Sequence, residues 1–200
     1  MNHLRPDLAV IAANVAPDSR VLDVGCGEGE LMEVLQRERG CDARGMEIDA
    51  EAVERCVARG LSVVQGDADR DLADYPDDAF DYAILSQTLQ TAARPDAMLD
   101  DLLRIGRRAF VSFPNFAYWR MRFSLLSHGR MPVTRHLPVS WYETQNIHHV
   151  TVLDFRELLR AKGVTVEKSW FFTHERKIGG GDGSFGANWR AEHAVFQLSR

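Results

Sequence analysis

The segment Val21-Leu22-Asp23-Val24-Gly25-Cys26-Gly27-Glu28-Gly29 limits the architecture of this chain more than any other. Apolar residues at 21, 22 and 24 suit a strand covered on both faces, and glycines at 25, 27 and 29 suit a tight turn into a helix. A turn stripped of side chains lets a nucleotide-like ligand approach the backbone. Its spacing is G-x-G-x-G, whereas a dinucleotide turn uses G-x-G-x-x-G and rests a pyrophosphate on the helix N-terminus. Position 30, where the third dinucleotide glycine falls, is Glu30, and Glu28 adds a second acid at the helix mouth. Such charges repel a pyrophosphate but tolerate a cationic sulfonium or amino group, so a non-phosphorylated ligand is expected.

The rest of the chain alternates strands and helices around that turn. Leu8, Ile11, Ala12 and Val15 share a helical face after Pro6, and this opening helix is expected to pack on the sheet. Leu31, Val34 and Leu35 mark a second helix ending at Gly40, and Ala43 to Ile48 a second strand. Asp49 should cap a third helix that buries Val53, Cys56 and Val57, with Gly60 as its stop before a strand from Leu61 to Gln65. Phe80 to Leu85 and Ala109 to Phe113 read as strands four and five, separated by a helix from Pro95 to Ile105. A helix from Asp154 to Lys162 and two closing strands, Thr165 to Thr173 and His193 to Leu198, complete the pattern. The fold class expected is α/β: a Rossmann-like doubly wound sheet of five parallel strands plus a C-terminal antiparallel pair. Its ligand site should lie at the carboxyl ends of the central strands.

With 45% hydrophobic residues in 200, the chain has enough apolar side chain for one domain spanning 1–200. Its formal charge of −5 argues against a general nucleic-acid binder. The first residues lack a secretory signal pattern, and no apolar run approaches the ~18 residues of a membrane span. A soluble cytoplasmic protein that binds neither membrane nor nucleic acid is therefore expected. Cys26, Cys41 and Cys56 are odd in number and lack C-x-x-C spacing, which fits reduced thiols. Cys26 is read as a small residue under the ligand rather than a nucleophile.

Residues 114–150 give few regular signals and hold four arginines against one acid, Glu143, among Tyr118, Trp119, Trp141 and Tyr142. A lid or partner-docking role is expected there, since arginine with large aromatics anchors interfaces. The competing reading makes Trp119, Phe123, Leu125 and Leu126 one face of a helix covering the sheet. The run Gly179-Gly180-Gly181-Asp182-Gly183-Ser184 lacks a following Lys-Ser or Lys-Thr and reads as a mobile hairpin connection rather than a phosphate loop.

With Asp23-Val24-Gly25-Cys26-Gly27-Glu28-Gly29 in this layout, the chain resembles the class I S-adenosylmethionine-dependent methyltransferases. The resemblance implies a cofactor site for S-adenosylmethionine, or S-adenosylhomocysteine, built from Asp23, Gly25, Cys26 and Gly27. It further implies that Glu47 accepts from the ribose hydroxyls and that Ile48 lies against the adenine. Asp67 and Ala68 would hold the adenine amino group, Ser86 and Gln87 would line the floor under the methionine moiety, and Asp23 would face its cationic amino end.

A closer likeness rests on four motifs in order. They are Val111-Ser112-Phe113-Pro114-Asn115-Phe116, Trp119-Arg120-Met121-Arg122, Gly129-Arg130-Met131-Pro132-Val133-Thr134 and Trp141-Tyr142-Glu143-Thr144-Gln145-Asn146-Ile147-His148. Together they resemble the methionine biosynthesis protein MetW family over nearly the whole chain. One departure is Gln145, where the family pattern has proline, which frees the backbone and restores an N–H.

That resemblance implies an accessory or regulatory protein of methionine biosynthesis acting with a homoserine O-acyltransferase. The alternative is a methyltransferase acting on an unidentified small acceptor. His148, His149 and Tyr142 are the residues that could serve as its base, although no catalytic residue is assigned and no metal site is expected. A homodimer is compatible with the sequence.

Overall fold

A computed structural model of the protein describes residues 4–129, 147–174, 176–180 and 185–200. Five strands run parallel: β1 (Arg20–Val24), β2 (Asp42–Glu47), β3 (Ser62–Gln65), β4 (Phe80–Ser86) and β5 (Gly106–Pro114). Three more, β6 (Thr165–Thr173), β7 (Arg176–Gly180) and β8 (His193–Ser199), extend the sheet to the order β3-β2-β1-β4-β5-β8-β6-β7. Strand β8 is antiparallel to both β5 and β6, which is the expected C-terminal pair, and β7 adds an antiparallel edge. That edge was not foreseen, because Gly179 and Gly180 read as connection; 181–184 lie outside the described residues.

The two-residue period of the strands divides the core cleanly. Val21, Ile84, Phe110 and Val195 face one way, with Leu8, Ile11, Leu31 and Leu35 from α1 (Pro6–Asn14) and α2 (Glu30–Arg39) packed over them. Their neighbours Leu22, Leu85, Val111 and Phe196 face the other way, against Leu99 and Leu102 of α5 (Pro95–Ile105) and Phe155 and Leu159 of α7 (Val152–Ala161). The intervening helices are α3 (Ala50–Ala58), α4 (Ala68–Asp71) and, later, α6 (Trp119–His128). A short α8 (Phe185–Arg190) precedes β8 and was also unforeseen.

Local signals explain most boundaries. Asp49 caps α3 by accepting from the N–H groups of Glu51 and Ala52, and Thr151 caps α7 by accepting from Asp154 N–H. Gly40, with φ +66°, closes α2. One expected face is corrected: α3 buries Ala52 and Cys56, while Val57 is exposed, because the helix sits near the sheet edge and is covered over a narrower stripe. Among the described residues, no helix is long and apolar enough to cross a membrane.

Candidate functional site

The same period that sorts the core places a row of polar side chains at the carboxyl ends of the strands. Asp23 lies two residues after Val21, Ser86 two after Ile84 and Ser112 two after Phe110, so all three point to the face covered by α1. Glu47, four residues after Ala43, joins them. Parallel registers level these ends, with Asp23 opposite Ile84 and Ser86 opposite Ser112.

The glycine turn closes onto this row. Gly27 N–H donates to Glu47 Oε2 at 2.8 Å, while Glu47 Oε1 accepts from Ile48 N–H at 2.9 Å and Asp49 N–H at 3.1 Å. Gly25 and Gly27 both sit at positive φ, but for different reasons. A Cβ on Gly25 would lie 2.4 Å from Thr88 Oγ1, whereas a Cβ on Gly27 would meet nothing within 4 Å. Gly27 therefore faces open space from the middle of the turn. Ile48 beside it is 64% exposed, an apolar lip next to a buried carboxylate.

Asp23 is 3% exposed, and burial pushes its carboxyl up to about 7, with Arg5 opposing and Glu47 adding to the shift. Such an acid is stabilised by any cation that arrives beside it. Burial is also the main cause that drives the Cys26 thiol well above the usual range, which keeps it protonated and not nucleophilic. Glu28, at the helix mouth, is exposed and paired with Arg55 at 3.2 Å, so its charge is partly countered.

Strand β3 contributes through its loop. Gly66 N–H donates to Glu47 O at 3.0 Å, and Asp67 then caps α4 by accepting from Asp69 N–H at 3.1 Å. Ala68 packs against the core beneath. The fold thus gathers Asp23, Gly25, Cys26, Gly27, Glu47, Ile48, Asp67, Ala68, Ser86 and Gln87 along four adjacent strand ends. Of the basic candidates, His148 is described, its backbone N–H donating to Gln90 O at 2.7 Å. His149 packs edge-on against Phe116. Tyr142, Gln145 and most of the third and fourth sequence motifs lie outside the described residues.

Sequence reasoning missed Asp7. It is 1% exposed, and its Oδ2 accepts from Ser86 Oγ, Ser112 Oγ and Gln87 Nε2, each at 3.3 Å, and from Arg5 Nη2 at 3.5 Å. Gln87 is turned inward by a positive φ of 55°, held by its N–H donating to Ser112 O at 2.9 Å. The signal was present: Asp7 stands one turn before Ile11, on the helix's covered side.

An eight-stranded, mostly parallel sheet with this strand-end site defines a class I methyltransferase fold. A structure of an S-adenosylmethionine-dependent methyltransferase from Mesorhizobium loti superposes with a TM-score of 0.70 at 18% identity, over 98% of each chain. Another, from Thermotoga maritima, gives 0.68 at 18% identity over 97% of this chain and 87% of its own. The family model of the methionine biosynthesis protein MetW matches residues 5–198, and the chain belongs to that family. A bifunctional methionine biosynthesis protein MetXA/MetW from Rhodopirellula baltica is 33% identical over 178 residues, covering 84% of this chain. The match spans only 29% of that longer protein.

Proposed function

We propose that this protein binds S-adenosylmethionine and acts as an accessory subunit of a homoserine O-acyltransferase in methionine biosynthesis. The observation that carries the second half is the Rhodopirellula relative, whose name joins a MetXA part to a MetW part in one polypeptide. Two parts joined in one polypeptide support the reading that they work in contact.

The cofactor half rests on the fit of the strand-end row. Open space at Gly27 admits a ligand against backbone, and the exposed Ile48 offers a flat ring an apolar surface. Buried Asp23 suits the ammonium end of an amino-acid ligand. Glu47 already accepts three N–H groups, leaving about one of its roughly four lone-pair directions for a ribose hydroxyl. A grip on both vicinal hydroxyls therefore requires one of these three bonds to be surrendered. When bound, the cofactor supplies an electrophilic methyl group; in the accessory role it supplies only differential affinity for two states of the complex.

The test is the rate of the purified acyltransferase with and without this chain, at zero and saturating S-adenosylmethionine. A rate that changes on adding the chain, and changes again with the cofactor, supports the reading. Indifference to the chain rejects it.

A second reading, methyl transfer to a small polar acceptor, is favoured by the cluster of buried Asp7 and Ser112 with half-buried Ser86 and Gln87 beside the cofactor row. It requires formation of S-adenosylhomocysteine dependent on an added acceptor.

A further inference from the structure

We infer that the outer face of α6, together with Trp189 of α8, is the surface on which the homoserine O-acyltransferase docks. This rests on the accessory reading above and adds the place of contact.

Helix α6 carries two apolar faces where a surface helix needs one. Met121 is buried and fixes the helix to the body of the protein. Trp119, Phe123 and Leu126, at i, i+4 and i+7, form a separate stripe that points outward. Phe123 is 63% and Leu126 85% exposed, so these two side chains contribute little to the core, while Trp119 packs edge-on against buried Tyr118. This overturns the expectation that these side chains cover the sheet: the period identifies a face but not which of two apolar faces the body of the protein occupies.

Trp189 extends the stripe onto a second element. Arg122 lies with its guanidinium carbon 5.2 Å from the Trp189 ring centroid, and Arg120 sits 5.4 Å from that of Trp119. Tryptophan and arginine held together at an exposed site are the residue types that dominate binding energy at interfaces. A contiguous exposed apolar patch of this kind marks a contact surface.

Charge selects the occupant. Helix α6 has two arginines and no acid, so a second copy meeting it through the same patch would bring like charge to like. A partner with an apolar cleft rimmed by Asp or Glu fits it. The relative whose name joins a MetXA part to a MetW part supports taking the acyltransferase of the accessory reading as that partner.

The patch is also wired to the strand ends. Asn115, which follows Pro114 of β5, donates through Nδ2 to Asn188 O and Ala191 O, each at 2.8 Å, and accepts at Oδ1 from Ala117 N–H at 3.2 Å. One buried side chain thereby fixes α8 and the start of α6 relative to the strand that carries Ser112.

The experiment titrates the purified acyltransferase of the same cell with the intact chain and with Phe123→Asp/Leu126→Asp, Arg122→Glu and, as a control elsewhere, Val57→Asp. S-adenosylmethionine binding and thermal melting of each variant establish that it is folded. The double variant is expected to bind at least about 100-fold more weakly, as does removal of two central anchors of an interface. Arg122→Glu should lose about tenfold or more, and Val57→Asp nothing. Unchanged binding by the folded double variant overturns the surface assignment and leaves the accessory reading standing. No binding by the intact chain overturns both. A folded Arg122→Glu that binds as well as the intact chain overturns the acidic rim.

Discussion

Gly27 donates its N–H to Glu47 Oε2 at 2.8 Å, so the centre of the glycine turn and the acid at the end of β2 form one unit. Glu47 also accepts from Ile48 and Asp49 N–H, which makes it a structural tie as well as a candidate ligand group. In Glu47→Gln the side-chain amide must turn a donor toward at least one of these donors. The expected cost is about 1–3 kcal/mol of stability, with at least tenfold weaker S-adenosylmethionine binding. Urea unfolding and isothermal titration of the variant measure the two effects separately.

The two glycines on either side of Cys26 should respond differently to alanine. In Gly25→Ala the new methyl collides with Thr88, so both strain and overpacking lower stability. In Gly27→Ala the space is open and only the positive φ resists, at about 1–2 kcal/mol. Cofactor affinity should nonetheless fall at Gly27, because the methyl enters the open space proposed for the ligand. Melting curves with and without S-adenosylmethionine distinguish the cases: Gly27→Ala keeps a cooperative transition and loses the ligand-induced shift.

Asp23 makes stability depend on pH. Its carboxyl titrates near 3.8 in the unfolded chain and is pushed up to about 7 by burial in the folded protein. The folded state therefore holds the proton more tightly. Its favourable contribution is complete below the unfolded value and is lost as pH rises from about 4 to about 7, by on the order of 4 kcal/mol. Asp23→Asn should flatten that part of the stability profile and be more stable than the parent above pH 7. Urea midpoints at pH 5, 6, 7 and 8 check this. A cationic ligand beside Asp23 favours its ionised form, so titrations at pH 6 in buffers of different ionisation enthalpy should show proton release on binding.

The sheet was legible because its strands are apolar runs punctuated by Gly and Pro, and β6 spans the same residues in sequence and structure. The carboxyl-end row was legible because a parallel sheet with a glycine turn leaves few places for a ligand. Asp7 was not, since a helical pattern weighs apolar positions and treats an early acid as a helix-dipole partner. Strand β7 was hidden by its glycines, which carry no strand preference. The outward stripe of α6 was visible as a pattern, but a pattern does not say which face is covered.

Asp7 concentrates four donors on one carboxylate oxygen, which makes it costly to remove. Asp7→Ala should lose about 2–4 kcal/mol, since it opens a cavity and takes the shared acceptor from Gln87 and from the Ser86–Ser112 hydroxyl pair, which at 3.1 Å can satisfy only one of its two donors internally. Ser112→Ala removes one donor, leaves Asp7 with the others and should cost about 1 kcal/mol. The contrast between the two, measured by chemical denaturation, tests whether Asp7 organises the cluster or merely sits in it.

Asn115 is 2% exposed and uses both ends of its amide: Nδ2 on Asn188 O and Ala191 O, Oδ1 on Ala117 N–H and, at 3.3 Å, Val152 N–H. It therefore joins β5, α8, the approach to α6 and the first turn of α7. Asn115→Asp keeps the acceptor and discards the donor, so a carboxylate would face two carbonyl oxygens in a dry site; a loss of about 3 kcal/mol or more is expected. Asn115→Ala orphans the same carbonyls without adding charge and should cost less. Because Trp189 follows Asn188 directly, the alanine variant should also loosen α8 and weaken acyltransferase binding while Phe123 and Leu126 are untouched. A folded Asn115→Ala with lower stability and unchanged partner affinity would show that the patch does not depend on this side chain for its shape.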